Sequence, residues 1–175
     1  VFNEGLGRRS AIYVEYPQAV PLKYMIDREK CIGCGTCSEV CRANAIQYDQ
    51  EDSEASLKVG SIILAPGFES FDAKLKSEYG YGRFPNVVTS IEFERILSAS
   101  GPYGGLVLRP SDGEIPKRIA FIQCVGSRIP ERPYCSRLCC SAAIKNALKI
   151  KEKNPQANVF ILYRDIRSYG LLEDY

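Results

Sequence analysis

Arg118-Ile119-Ala120-Phe121-Ile122-Gln123-Cys124, an amphipathic run from about Leu138 to Lys153, and Asn158-Val159-Phe160-Ile161-Leu162-Tyr163 form the succession that decides the fold class. The two outer runs are almost continuously apolar, the pattern of strands in a sheet covered on both faces. The middle run places Ile144, Ala147 and Leu148 on one helical stripe and ends at Asn154-Pro155, where proline cannot continue a helix. Strand, helix and strand within residues 118–163 make a βαβ unit, with parallel pairing and a right-handed crossover expected.

Working outward from that unit, Thr89-Ser90 can cap a helix that runs through Ser98, turns Ile96-Leu97 inward and is stopped by Gly101-Pro102. Residues 68–86 are rich in Tyr, Gly and charge and read as loop. Ser56-Leu57-Lys58-Val59 and Ser61-Ile62-Ile63-Leu64-Ala65, broken by Pro66-Gly67, suit buried strand. Asp49-Gln50-Glu51-Asp52-Ser53-Glu54 is an acidic, aperiodic linker. Before it, two short strand-like runs, Lys23-Tyr24-Met25-Ile26 and Ala45-Ile46-Gln47-Tyr48, flank a cysteine-rich stretch. The fold class expected is α/β with a small α+β ferredoxin-like part.

Composition narrows the chemistry. The 175 residues are 45% hydrophobic and 25% charged, as in ordinary folded proteins, with eight Cys, no His and no Trp. Without imidazole there is no Ser-His-Asp or Cys-His catalysis, no His-ligated zinc and no His-held haem. Chemistry must lean on sulfur. The cysteines are too sparse for a small disulfide-stapled secreted domain, and no signal-peptide pattern is present, so a cytoplasmic protein with metal-binding or redox thiols is expected. No apolar run approaches the roughly 20 residues that cross a bilayer. A chain that starts at Val1 without Met and stops at Asp174-Tyr175, shortly after a strand-like run, is expected to be a fragment of a longer protein.

Residues 1–100 hold 11 Lys and Arg against 14 Asp and Glu, whereas residues 101–175 hold 12 against 7. The basic second half reads as a solvated helix face bearing Lys145, Lys149, Lys151 and Lys153. No nucleic-acid module or basic-aromatic pattern accompanies it, so no nucleic-acid partner is expected.

Cys31-Ile32-Gly33-Cys34-Gly35-Thr36-Cys37-Ser38-Glu39-Val40-Cys41 has the spacing C-x2-C-x2-C-x3-C. Gly33 and Gly35 permit the tight turns that let Cys31, Cys34 and Cys37 converge on one [4Fe-4S] cubane. Structural zinc normally takes two separated pairs, and unliganded thiols are the remaining alternative. Cys41 either closes the local cluster or serves another. In two-cluster ferredoxins the last Cys of each run ligates the other run's cluster, and no second run of this type occurs here. Arg42 stands where proline usually follows.

Cys124, Cys135, Cys139 and Cys140 form a different pattern, C-x10-C-x3-C-C. Cys124 ends a strand and Cys139-Cys140 open the next helix. In open α/β sheets ligands collect there, and a helix amino terminus favours thiolates. A second iron-sulfur cluster, a redox-active dithiol and inert buried cysteines are all compatible. A disulfide between the adjacent Cys139 and Cys140 would be strained.

Ile122-Gln123-Cys124-Val125-Gly126-Ser127-Arg128, Tyr134-Cys135-Ser136-Arg137-Leu138-Cys139-Cys140 and Tyr163-Arg164-Asp165-Ile166-Arg167 resemble the A-type subunit of heterodisulfide reductase and its relatives in sulfate reducers. So do Phe2-Asn3-Glu4-Gly5-Leu6-Gly7, Tyr16-Pro17-Gln18-Ala19-Val20-Pro21 and Ala43-Asn44-Ala45-Ile46. The resemblance covers essentially the whole chain. It implies an iron-sulfur flavoprotein on a thioredoxin-reductase-like scaffold with an inserted ferredoxin domain. Residues 1–54 would then be the later part of the insert, and residues 55–175 a partial flavoprotein domain on an incomplete scaffold. It favours a second cluster on Cys124, Cys135, Cys139 and Cys140. It further implies a similar cysteine run upstream of Val1, in which case Cys41 would serve that cluster.

Ser61 to Gly67 takes the place of the Ala-Thr-Gly strand end that closes over flavin in such enzymes, making Ala65, Pro66 and Gly67 the FAD-contacting residues of the intact parent. Pro66 lacks the hydroxyl and amide that threonine would supply. The G-x-G-x-x-G element for FAD pyrophosphate is absent from these residues. Cys124-Val125-Gly126-Ser127 stands where a nicotinamide domain would carry its glycines, so a cluster is expected to replace a dinucleotide site. The leading reading is an electron relay between clusters, FAD and other subunits of a reductase or hydrogenase-linked complex, with no side chain acting as acid, base or nucleophile. The alternatives are an autonomous ferredoxin-like carrier with a structural appendage, and a thiol oxidoreductase attacking through Cys139 or Cys140.

Overall fold

The computed structural model describes residues 2–174 as a small mixed α/β chain. Its centre is the expected βαβ unit. β3 (Arg118–Ile122) pairs in parallel with β4 (Asn158–Leu162), in the register Arg118 to Asn158 through Ile122 to Leu162, and α3 (Cys139–Lys153) crosses between them. The ladder is extended at both ends, by Asn158 N donating to Lys117 O at 2.9 Å and by Gln123 N donating to Leu162 O at 2.9 Å.

α2 (Ser90–Leu97) begins at a reciprocal cap. Thr89 Oγ1 accepts from Glu92 N at 3.3 Å, and the Glu92 carboxylate accepts from Thr89 N at 2.5 Å, so two otherwise unpaired donors of the first turn are satisfied together. Phe93 and Ile96 of this helix, Val107, Ile150 of α3 and Ala157 form the core, packed by Leu6, Tyr103, Ile119, Phe121 and Val159. Phe93 meets Phe121 edge to face at 5.5 Å. Burial of Ile150, which is fully inaccessible, contributes about 1.5–3 kcal/mol relative to leaving it exposed. The first residues join this half: Leu6 packs on the core, and Arg95 Nη2 donates to Asn3 Oδ1 at 3.0 Å.

The stripe that α3 buries is Cys140, Ala143, Asn146 and Ile150, rotated from the expected Ile144, Ala147 and Leu148. Both stripes obey helical spacing. The core chose the one that seats Ile150 deepest, and Leu148 faces solvent at 40% exposure. The four lysines are exposed but occupied. Lys145 pairs with Glu94 of α2 at 2.6 Å, Lys149 with Glu152 at 2.7 Å, and Lys151 donates to Ala157 O at 3.0 Å. Lys153 donates to Leu97 O and Gly105 O, tying the end of α3 to the loop after α2.

The cysteine-rich half is smaller. β1 (Ile12–Tyr13) and β2 (Met25–Ile26) make an antiparallel pair, and α1 (Thr36–Val40) follows. The Arg9 guanidinium pairs with Asp27 at 2.6 Å and fastens the two strands. Three expected strand-like runs do not form. Ala45 to Tyr48 is irregular, because the partner of Met25–Ile26 lies upstream at Ile12–Tyr13. Ser56–Val59 and Ser61–Ala65 are also irregular, with Ile63 91% exposed. A strand is stabilised by pairing, and these residues pair with neither two-stranded sheet of this chain. Residues 68–86 contain two single-turn helices, Ala73–Leu75 and Ser77–Tyr79. No described helix is long and apolar enough to cross a membrane.

Candidate metal centres

The first quartet is built by turns. Asp27 O accepts from Lys30 N at 3.2 Å and from Cys31 N at 2.9 Å, which brings the chain off β2 directly into Cys31. Gly33 (φ 69°) and Gly35 (φ 74°) hold left-handed backbone that an L side chain resists. Open space surrounds both, so conformation and not crowding requires glycine. Gly35 caps α1, which carries Cys37, and Cys41 lies just past its end.

Each of the later sulfurs has a hydrogen-bonding partner. The Thr36 hydroxyl and amide favour the Cys34 thiolate and hold its pKa below the ordinary value. Ala45 N donates to Cys41 Sγ at 3.3 Å. Tyr48 Oη lies 2.8 Å from Cys37 Sγ, and Ser38 Oγ donates to the same hydroxyl at 2.8 Å. The Cys37 contact pushes the Tyr48 pKa up. Cys31 and Cys34 are exposed, and Cys37 and Cys41 are half-buried.

The second quartet sits at the carboxyl end of the parallel pair. Cys124 follows β3 with φ 60°, and Arg128 (φ 56°) and Arg137 (φ 62°) share this left-handed geometry. Three non-glycine residues in a sparsely populated region within one loop mark backbone held in place by its surroundings. The Phe71 ring lies over Gly126 where a side chain would otherwise project. Cys139 and Cys140 form the first turn of α3. Ser136 Oγ donates to Cys139 Sγ at 3.5 Å, and Arg137 N donates to Cys135 Sγ at 3.4 Å.

A clamp closes this loop from the far side. Asp165, just beyond β4, pairs with Arg128 and, at 3.3 Å, with Arg167, and Arg164 Nη1 donates to Arg128 O at 2.6 Å. The Arg128 guanidinium holds the Asp165 pKa below the ordinary value. Arg128 also acts electrostatically on Cys124, and Arg167 on Cys135. Burial pushes the Cys140 thiol up, the Arg167 backbone opposes that shift, and Cys139 and Cys124 add to it. Cys124, Cys139 and Cys140 therefore occupy one electrostatic neighbourhood, with two arginines beside it.

All eight cysteines are free thiols. Among the described residues, no three His, Cys, Asp or Glu side chains converge as they would around one metal ion. The donor sets themselves suit iron-sulfur chemistry: four sulfurs each, no competing imidazole, and N–H and O–H groups aimed at the sulfurs. The flavin assignment has no comparable support. Ala65, Pro66 and Gly67 lie in an exposed irregular segment, and the clefts beside Tyr81 and Glu92 are lined by other residues.

Sequence reasoning did not give roles to Tyr48, Thr36 and Ser38, or to the Arg128, Asp165 and Arg167 clamp. The clamp left a signal, since the residues after one parallel strand emerge at the same sheet end as those after its neighbour. Tyr48 left none, because its contact depends on an irregular return of the chain.

Residues 24–47 match the 4Fe-4S binding domain family. The chain is 54% identical over 171 residues to the A-type iron-sulfur subunit of the CoB–CoM heterodisulfide reductase of Methanocaldococcus jannaschii, covering 97% of this chain and 26% of that protein. It is 56% identical to the second A-type iron-sulfur subunit of the Methanopyrus kandleri reductase, with the same coverage. It is 45% identical to the A-type subunit of the ferredoxin:CoB-CoM heterodisulfide reductase of Methanosarcina mazei, covering 99% of this chain and 22% of that protein. The chain thus spans about a quarter of the length of the curated relatives it matches.

Proposed function

Given a chain that is a relative of the heterodisulfide reductase A-type subunit along 97% of its length, we propose that it relays electrons through two iron-sulfur clusters, one on each cysteine quartet. The observation that carries this reading is the placement of Cys124, just past the carboxyl end of β3, and of Cys139 and Cys140, in the first turn of the α3 crossover that follows, beside the same parallel strand pair. A parallel pair opens its crevice at that end. In the same reading Cys31, Cys34 and Cys37 hold the first cluster, with Cys41 closing it or serving a neighbouring one.

A [4Fe-4S] cluster, when bound, accepts and passes on single electrons. The chain's residues supply the rest. Gly33 and Gly35 shape the first cysteine loop, Thr36 and Ala45 direct donors at its sulfurs, and the first turn of α3 presents Cys139 half-buried and Cys140 from the buried stripe. Arg128 and Arg167, held by Asp165, set positive charge against the anionic sulfurs of the second quartet. None of these side chains transfers a proton to a substrate, so this stretch alone is a conductor and catalysis belongs to the larger protein.

In that larger protein we place residues 1–54 in a ferredoxin-like unit and residues 55–175 in part of a thioredoxin-reductase-like flavoprotein domain, with Ala65, Pro66 and Gly67 against FAD. Electrons would pass between the clusters, FAD and partner subunits in the cytoplasm, with cluster chemistry in place of hydride delivery at Cys124. The test is iron and acid-labile sulfide per chain, with electron paramagnetic resonance of the reduced form, on this chain and on Cys139→Ser. Iron for two clusters, falling to one in the variant, is expected. Iron for one cluster and freely titrating thiols at Cys124, Cys135, Cys139 and Cys140 would remove the second cluster from the proposal.

A further inference from the structure

Tyr48, at the end of the irregular segment 45–48, returns onto α1: its hydroxyl lies 2.8 Å from Cys37 Sγ and 2.8 Å from Ser38 Oγ. Either atom of the Cys37 pair could donate in a free thiol. A sulfur that ligates iron has lost its proton and can only accept. Tyr48 must then be the donor, and the lone pair of its oxygen is engaged by the Ser38 hydroxyl. Cys37 and Ser38 are neighbours on α1, so one phenol spans a ligand and the residue that orients it. We infer that Tyr48, oriented by Ser38, is a positioning residue for the first cluster. It acts through Cys37 and raises the reduction potential of that cluster.

The inference rests on the reading that Cys37 ligates iron, and it follows from charge. Reduction adds negative charge to the cluster and its sulfurs. A hydrogen bond strengthens as its acceptor becomes more negative, so the Tyr48 proton stabilises the reduced form more than the oxidised one. Ala45 N donates to Cys41 from the backbone and is present whatever occupies position 48, so it does not share the effect. The ring of Tyr48 is half exposed, and phenylalanine keeps the ring while deleting only the hydroxyl.

The test uses the full chain, loaded with iron and sulfide under anaerobic conditions and titrated against potential by electron paramagnetic resonance. The first-cluster signal is identified as the one lost in Cys34→Ser. Tyr48→Phe is expected to keep its iron and shift that signal negative. At a fixed potential its reduced fraction falls several-fold, a tenfold fall being 59 mV for one electron. Ser38→Ala shifts it the same way by less. In wild type, exchange into deuterated water moves an iron-sulfur Raman band, and the effect is smaller in Tyr48→Phe.

Full iron in Tyr48→Phe with an unchanged potential overturns the inference and leaves the electron-relay reading intact. A wild-type chain that holds no iron or sulfide overturns both. If Tyr48→Phe loses the cluster, Ser38→Ala decides, and an unchanged potential in that variant overturns the inference.

Discussion

Replacing Asn146 by leucine is expected to stabilise the protein. Asn146 is 1% exposed and lies on the α3 stripe with Cys140, Ala143 and Ile150, and neither its Oδ1 nor its Nδ2 has a partner among the described residues. An unpaired buried amide costs about 1–3 kcal/mol, because water satisfied it before folding and nothing satisfies it afterwards. Leucine keeps the same branched four-heavy-atom skeleton with no polar atoms, so Asn146→Leu removes that cost and adds apolar burial. A gain of about 2 kcal/mol corresponds to roughly 4–8 °C in Tm for a chain of this size. The assay is guanidinium unfolding under reducing, anaerobic conditions, followed by far-ultraviolet circular dichroism, with Asn146→Ala as the cavity control. Leucine should raise the midpoint with an unchanged slope, and alanine should fall below leucine. A leucine variant less stable than wild type would refute the reasoning. It would show that the amide is bonded, through buried water or another part of the protein, beneath the helix that presents Cys139 and Cys140.

Four further outcomes are expected. Thr89→Ala removes the side-chain half of the α2 cap and should cost about 0.5–2 kcal/mol in the same unfolding assay, with Thr89→Ser restoring most of it. Gly126→Ala forces a side chain into left-handed backbone (φ 71°) under the Phe71 ring, so stability should fall by more than the roughly 1–2 kcal/mol of the conformational term alone. Asp165→Asn weakens the hold on Arg128 and Arg167, and iron retained by the second quartet should decrease while the first-quartet signal persists. Tyr81 is pushed above the ordinary tyrosine value by burial and then by its hydrogen bond to Glu92. Its contribution is therefore complete below about pH 10 and lost as pH rises through the higher folded value. Ultraviolet difference titration of wild type against Tyr81→Phe should show this late transition, and a transition at or below the ordinary value would contradict it.

What could be read from the residues in order was what local spacing encodes. The parallel β3-α3-β4 unit follows from two apolar runs around an amphipathic one, and the start of α2 follows from Thr89 and Glu92 three residues apart. The division of eight cysteines into two quartets, with the first inside a stretch that matches a 4Fe-4S binding domain, also follows from spacing. Pairing and facing were beyond reach, because they depend on residues distant in sequence. Met25–Ile26 took Ile12–Tyr13 as its partner and left Ala45–Tyr48 irregular, and the apolar Ser61–Ala65 run pairs with neither sheet. Two stripes of α3 satisfied helical spacing equally, and only packing against the core selected the one with Asn146 and Ile150. The same holds at the sulfurs. Sequence determines which residues are thiols and how far apart they lie along the chain. Tertiary structure decides that Tyr48 turns back onto Cys37, and that Asp165 draws Arg128 and Arg167 toward the second quartet, because hydrogen bonds and charge act through space.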